Sequence, residues 1–221
     1  MIEVNLFFLI LPSLAVASSF SPLPGTSLIQ QTNMLLLLSQ FLSAIIFSRS
    51  IAGGLSRGEF KLLLTYPITR NNLIFTKLVV DTLIPFVIMT FVNAIGTYLS
   101  GAGLSAPFWL AELISLIAVT YIGGMTILIG LLLKSESTTM LVVLMIIFAT
   151  EFATSSLPQS VQFVSVGGTW HALSSFIGPY GLVLHTNLGQ QAALGVVEKI
   201  AVIFATVASS LFYSNRFMEL D

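Results

Sequence analysis

The chain has 221 residues, 56% of them hydrophobic and 8% charged, with a formal net charge of −1 and no cysteine. A soluble domain carries roughly a quarter charged residues, so this composition cannot furnish a water-facing surface. The charge balance offers no basic excess for nucleic acid, and the missing cysteines exclude disulfides, thiolate metal sites and cysteine nucleophiles.

The apolar residues arrive in six runs, each near the roughly 20 residues that cross hydrocarbon as a helix. The first, residues 4–20, contains Pro12 and closes on Ala15-Val16-Ala17, which resembles a signal-peptide cleavage site. The only charge ahead of it is Glu3 rather than a positive n-region, and this favours a retained helix. The second span, 34–52, is rich in serines that can face neighbouring helices. Spans 78–100, 108–133 and 138–157 are the clearest. Between the fifth and sixth spans, residues 158–191 combine Gly167-Gly168, Gly178-Pro179 and Gly181 with an apolar stretch at 172–184, too short to cross and suited to an outer re-entrant segment. The sixth span, 192–214, contains Glu198 and Lys199, placed near the outer end where both can reach the headgroups.

Orientation follows from the eight Lys and Arg residues. Arg49 ends the second span, Arg57, Lys61, Arg70 and Lys77 precede the third, Lys134 separates the fourth and fifth, and Arg216 follows the sixth. Short cytoplasmic loops retain such charge. Loops 21–33, 101–107 and 158–191 contain no Lys or Arg, and Lys199 is the exception. These features predict an all-α integral membrane protein: one domain over 1–221, six transmembrane helices and both termini cytoplasmic. Cleavage of the first segment would leave the other orientations unchanged.

Individual residues invite structural and functional readings. Gly54-Leu55-Ser56-Arg57-Gly58 matches G-x-S-x-G, but a nucleophile elbow needs a preceding strand and a His and an acid within reach. Ser56 is therefore expected to cap a helix, and no catalytic residue is assigned. His171 and His185 are too far apart in sequence to suggest a metal cluster. Lys77 and Asp81, four residues apart, are expected to pair. Glu112 is expected to reach water at the outer end of its span. Glu151 lies deeper and is the candidate pathway residue, because intramembrane carboxylates mark functional sites. Trp109 and Trp170 are expected as interfacial anchors, and Gly123-Gly124 as a close helix contact.

The inner loop Ser56-Arg57-Gly58-Glu59-Phe60-Lys61-Leu62-Leu63-Leu64-Thr65-Tyr66-Pro67-Ile68-Thr69-Arg70 predicts a short amphipathic helix. Ser56 and Glu59 have capping-box spacing, and Pro67 stops the helix. Phe60, Leu63, Leu64 and Pro67 share one face, while Arg57 and Lys61 share another. By physics alone this is an interfacial anchor on the inner membrane surface. The order Gly58-Glu59, Leu62-Leu63-Leu64, Pro67-Ile68-Thr69-Arg70 and then Lys77 resembles the permease subunits of ABC-2 transporters. Layout resembles that family over most of the chain, but the motif covers about twenty residues, and the start Met1-Ile2-Glu3 lacks the family's basic amphipathic segment.

The resemblance implies a cytoplasmic coupling helix that seats in a cleft of a partner ATPase, with Glu59, Phe60, Leu63, Leu64, Pro67, Thr69 and Arg70 as its residues. It also implies a multi-pass plasma-membrane exporter working with a second permease copy or homologue. No G-x-x-x-x-G-K-[ST] loop is present. ATP and Mg are accordingly expected on a separate ATPase subunit, with no cofactor bound by this chain. A secondary transporter or channel of six helices is the alternative, though mid-membrane polar residues are few. An intramembrane enzyme would need paired catalytic groups at one depth, which this sequence does not supply.

Overall fold

The structure, a computed structural model, describes residues 26–66, 68–99, 106–154, 162, 164–177 and 186–217. The first expected span (4–20), Pro67, His185 and the last four residues lie outside the described residues. We label the helices α1 (Thr26–Phe47), α2 (Glu59–Leu63), α3 (Arg70–Leu99), α4 (Ala106–Leu133), α5 (Glu136–Phe148), α6 (Val166–Ile177) and α7 (Thr186–Phe217). A π-helical segment, Ser48–Gly53, joins α1 to a last turn at Gly54–Ser56, and a second, Ala149–Ala153, prolongs α5. Every regular element among the described residues is helical.

Among the described residues, five helices are long and apolar enough to cross a bilayer: Thr32–Ser56, Arg70–Tyr98, Phe108–Leu133, Glu136–Ala153 and Gln190–Arg216. They coincide with the second to sixth expected spans. The helices overrun the apolar windows because a helix does not stop at the edge of the hydrocarbon. Thus α3 starts at Arg70 rather than residue 78, with Arg70, Asn71 and Asn72 forming a polar first turn capped by Thr69, whose Oγ1 accepts from the Asn72 N–H at 3.3 Å. Lipid-facing side chains recur every fourth residue down α3, where Val79, Leu83, Val87 and Phe91 are all exposed.

Helix α4 is the centre of the bundle and packs against α1, α3, α5, α6 and α7. Its small residues permit this. A Cβ added at Gly123 would lie 2.5 Å from the ring of Phe47 on α1, and one at Gly124 would lie 2.6 Å from Thr206 Oγ1 on α7. The expected close helix contact at this glycine pair is therefore present. Phe47 is fully buried, so its ring has nowhere to retreat. Gly123→Ala should lower stability by about 1–3 kcal/mol, the usual cost of overpacking, measured as a lower unfolding temperature of the purified protein.

Successive spans alternate in direction along the chain, so α1, α4 and α7 close at one end of the bundle and α3 and α5 at the other, and the two ends differ chemically. The end formed by the close of α1, α2, the start of α3, the α4–α5 turn and the close of α7 carries Arg49, Arg57, Lys61, Arg70, Lys134 and Arg216. The opposite end carries α6, Glu112, Glu151, Glu198 and Lys199.

Candidate functional site

At the basic end, local backbone conformation decides how the inner loop is presented. Gly58 adopts φ 73°, a left-handed conformation natural to glycine, and separates the last turn of α1 from α2. The expected capping box does not form. Ser56 belongs to the preceding helix, where its Oγ donates to the Gly53 carbonyl at 3.0 Å, and the helix after Gly58 is only the five residues of α2. Glu59 instead accepts from Arg57 Nε at 2.7 Å. The Arg57 guanidinium also pairs with Glu136 Oε2 at 3.0 Å and donates to the Arg49 carbonyl at 3.2 Å. It is held above its ordinary pKa, chiefly by the hydrogen bond with Glu59. One planar side chain thereby joins the end of α1, the start of α2 and the first turn of α5.

The apolar face of α2 exists, and it is turned toward the helices. Phe60 is buried in a cluster with Phe47, Ile51, Leu73, Ile74, Leu78, Ile127 and Leu131, against which Leu63 and Leu64 pack. Gly54 permits this approach, since a Cβ there would lie 2.9 Å from the Phe60 ring. The apolar side chains left facing outward are Leu62, 67% exposed, Tyr66, 61% exposed, and Ile68. They were absent from the expected set, although Leu62 lies off the Phe60, Leu63 and Leu64 face on a helical projection.

Arg70 secures the exit from this loop by donating from Nη1 to the Ser214 carbonyl of α7 at 3.3 Å. Lys77 does not form the expected ion pair with Asp81. Its Nζ donates to Ser50 Oγ at 2.8 Å in the π-helical segment of α1, while Asp81 is buried with one carboxylate oxygen lacking a hydrogen-bond partner. Ser50 stands between the two groups, accepting from the lysine and bonding to the Asp81 carboxylate.

At the opposite end, Glu151 sits in the π-helical extension of α5 and caps α6. Its Oε1 accepts from Gln40 Nε2 of α1 at 3.0 Å and from the Val166 N–H at 2.9 Å, and its Oε2 accepts from the Gly167 N–H at 3.2 Å. A carboxylate at a helix N-terminus satisfies donors that the helix cannot satisfy itself. Lys199 holds the same end from the other side. The expectation that it reaches the headgroups is overturned: it is 1% exposed, donates to the Val164 carbonyl at 3.0 Å and to Glu198 Oε2 at 2.8 Å, and lies over the Tyr121 ring at 5.7 Å. These partners satisfy the ammonium inside the protein.

Two further expectations fail for related reasons. Trp170 is no interfacial anchor; it is buried in the core cluster with Leu36, Ala118, Tyr121 and Ile122, because α6 packs on α1, α4 and α7. Trp109, by contrast, is exposed near the start of α4. Glu112 does not reach water. It is 5% exposed and accepts from Asn93 Nδ2 at 2.6 Å and from Thr90 Oγ1, both on α3. The apolar stretch expected to be re-entrant is helical as far as Ile177, and the remainder lies outside the described residues.

A cavity of about 410 Å³ opens beside Glu151, with Leu37, Asn33, Phe152 and His171 in its walls. Sequence patterning does not reveal this cavity, because its lining comes from α1, α5 and α6 and from the segment before α6. A family model described as "ABC-2 family transporter protein" matches residues 5–176 of the chain. No curated protein matches it.

Proposed function

The chain belongs to the ABC-2 transporter family, and from that premise we propose that it is the permease subunit of an exporter whose ATP is hydrolysed, with Mg, on a separate subunit that docks at residues 59–70. It is a multi-pass membrane protein and a transport subunit rather than a catalytic one. The basic end faces the cytoplasm under the positive-inside rule, and the membrane is the plasma membrane. The observation that carries the docking assignment is the exposed apolar set Leu62, Tyr66 and Ile68 beside the charged Glu59 and Lys61. Aromatic and aliphatic anchors ringed by polar groups are what a protein interface uses.

Phe60, Leu63 and Leu64 act from beneath this surface. They fix α2 on the bundle so that movement of the docked ATPase is delivered to α1, α3 and α4. Thr69 and Arg70 fix where α3 begins. Pro67 ends the docking segment. Arg57 adds a direct line to α5 through Glu136, and α5 leads to Glu151 at the far end. A second permease, identical or homologous, completes the transporter, with the substrate route between the two and Glu151 on that route.

Affinity purification of the full-length protein from membranes, with identification of co-purifying chains and an ATPase assay, tests this reading. An ABC ATPase should be recovered. Arg57→Glu should reduce coupled ATP hydrolysis about tenfold, and adding Glu136→Arg should restore part of the loss by re-forming the α1–α5 ion pair in reverse. Recovery of a folded permease with no ATPase would overturn the proposal.

A further inference from the structure

We propose that the cavity bounded by α1, α5 and α6 binds an ammonium group carried on an apolar body; its meaning as a substrate site rests on the permease reading. The volume of about 410 Å³ falls within the range of about 300–1,000 Å³ usual for small-molecule sites. Leu37 and Phe152 supply apolar wall, while Glu151 and Asn33 supply oxygen acceptors.

The oxygens can accept more bonds than they receive: Glu151 and Asn33 present three, each with two lone pairs, to three N–H donors. Glu151 Oε1 takes the shorter bonds from Gln40 and Val166, whereas Oε2 is met by the Gly167 N–H at 3.2 Å. None of the three ion pairs among the described residues involves Glu151. The Asn33 Oδ1 is buried without a hydrogen-bond partner. Both oxygens border the space beside Gly167: a Cβ built there would lie 2.9 Å from Glu151 Oε2 and 4.0 Å from Asn33 Oδ1. A primary ammonium brings a positive charge and three donors with no acceptor of its own, which is the complement of this arrangement. An anion would meet the carboxylate unfavourably, and a purely apolar guest would leave the Asn33 oxygen unpartnered. Carboxylates held within a membrane domain are costly unless paired, so a cationic guest gains electrostatic energy that a neutral one does not.

The test is equilibrium binding of radiolabelled dodecylamine to the full-length protein in phosphatidylcholine nanodiscs, with protein-free nanodiscs as the blank. Saturable binding is expected. Unlabelled dodecylamine should compete, whereas dodecyltrimethylammonium, which has no N–H donor, and dodecanol, which has no charge, should compete at least tenfold less well. Glu151→Gln should weaken binding tenfold or more. Leu37→Trp, which fills the cavity while leaving every polar group in place, should do the same and guards against a misfolded Glu151 variant.

Competition by phosphatidylethanolamine in the nanodisc would identify a lipid headgroup as the source of the ammonium, and its failure to compete would identify a freely diffusing amphiphile. Equal competition by dodecanol, or unchanged binding in both variants, would overturn the proposal. Absence of saturable binding to protein that still co-purifies with an ATPase would remove this site while leaving the permease reading intact. Binding without any ATPase partner would do the reverse.

Discussion

Leu62→Asp combined with Tyr66→Asp should leave the permease folded and weaken its hold on the ATPase about 30-fold or more, equivalent to about 2 kcal/mol from two interface anchors. Both side chains are more than half exposed at the basic end and contribute to no core cluster. Placing carboxylates there costs little in the free subunit. The same substitution one position along should behave differently. Leu63 packs against the cluster around Phe60, so Leu63→Asp drives a carboxylate into apolar surroundings and should lower the unfolding temperature before any effect on partner binding is seen. Titrating the purified ATPase against each variant, with the unfolding temperature recorded in parallel, separates the two. Loss of ATPase binding in Leu63→Asp at an unchanged unfolding temperature, with no loss in the Leu62/Tyr66 variant, would return the docking surface to Leu63 and Leu64.

The contrast between Leu62 and Leu63 shows where sequence reading succeeds and where it stops. The spans are legible because lipid imposes a single requirement, about 20 apolar residues in a row, that each segment meets alone. The amphipathic character of residues 60–64 is legible for the same local reason. Which way the apolar face points is not, because an amphipathic helix beside a membrane can cover lipid, a partner or its own bundle. Gly58 turns the choice toward the bundle by breaking the helix, which brings Phe60 against Gly54. Charged residues give the same lesson. Lys199 and Glu112 each lie near the outer end of the apolar span read from the sequence, 192–214 and 108–133, which suggests access to water, although α7 itself begins as early as Thr186. Their partners, the Val164 carbonyl and Glu198 for one and Asn93 and Thr90 for the other, come largely from elsewhere in the chain and keep both side chains inside. Glu151 was recognisable as exceptional from its depth alone. Its partners Gln40, Val166 and Gly167, and the neighbouring cavity, required three helices to meet.

Lys199→Met should be the most damaging single change at the end opposite the docking surface, at about 2 kcal/mol. Methionine keeps most of the volume, so the loss is electrostatic. The Val164 carbonyl loses this buried donor, at a cost of about 1–3 kcal/mol for an unsatisfied group. The Glu198 carboxylate loses its partner but is about one-third exposed, at 32% of its side chain, which limits its share. The damage should be local to α6, because that ammonium and the Glu151 carboxylate grip its N-terminal end from opposite sides. Trp170 reports this directly. It is 1% exposed in α6, and in a Trp109→Phe background it becomes the sole tryptophan, so loosening of α6 should raise its quenching by acrylamide. Adding Glu198→Gln should recover part of the stability by removing the stranded charge, but not the quenching, which depends on the Val164 bond. Unchanged quenching and unfolding temperature in Lys199→Met would mean that Glu151 and the apolar packing of Val166 and Trp170 hold α6 without the lysine, and then Glu151→Gln should raise the quenching by itself.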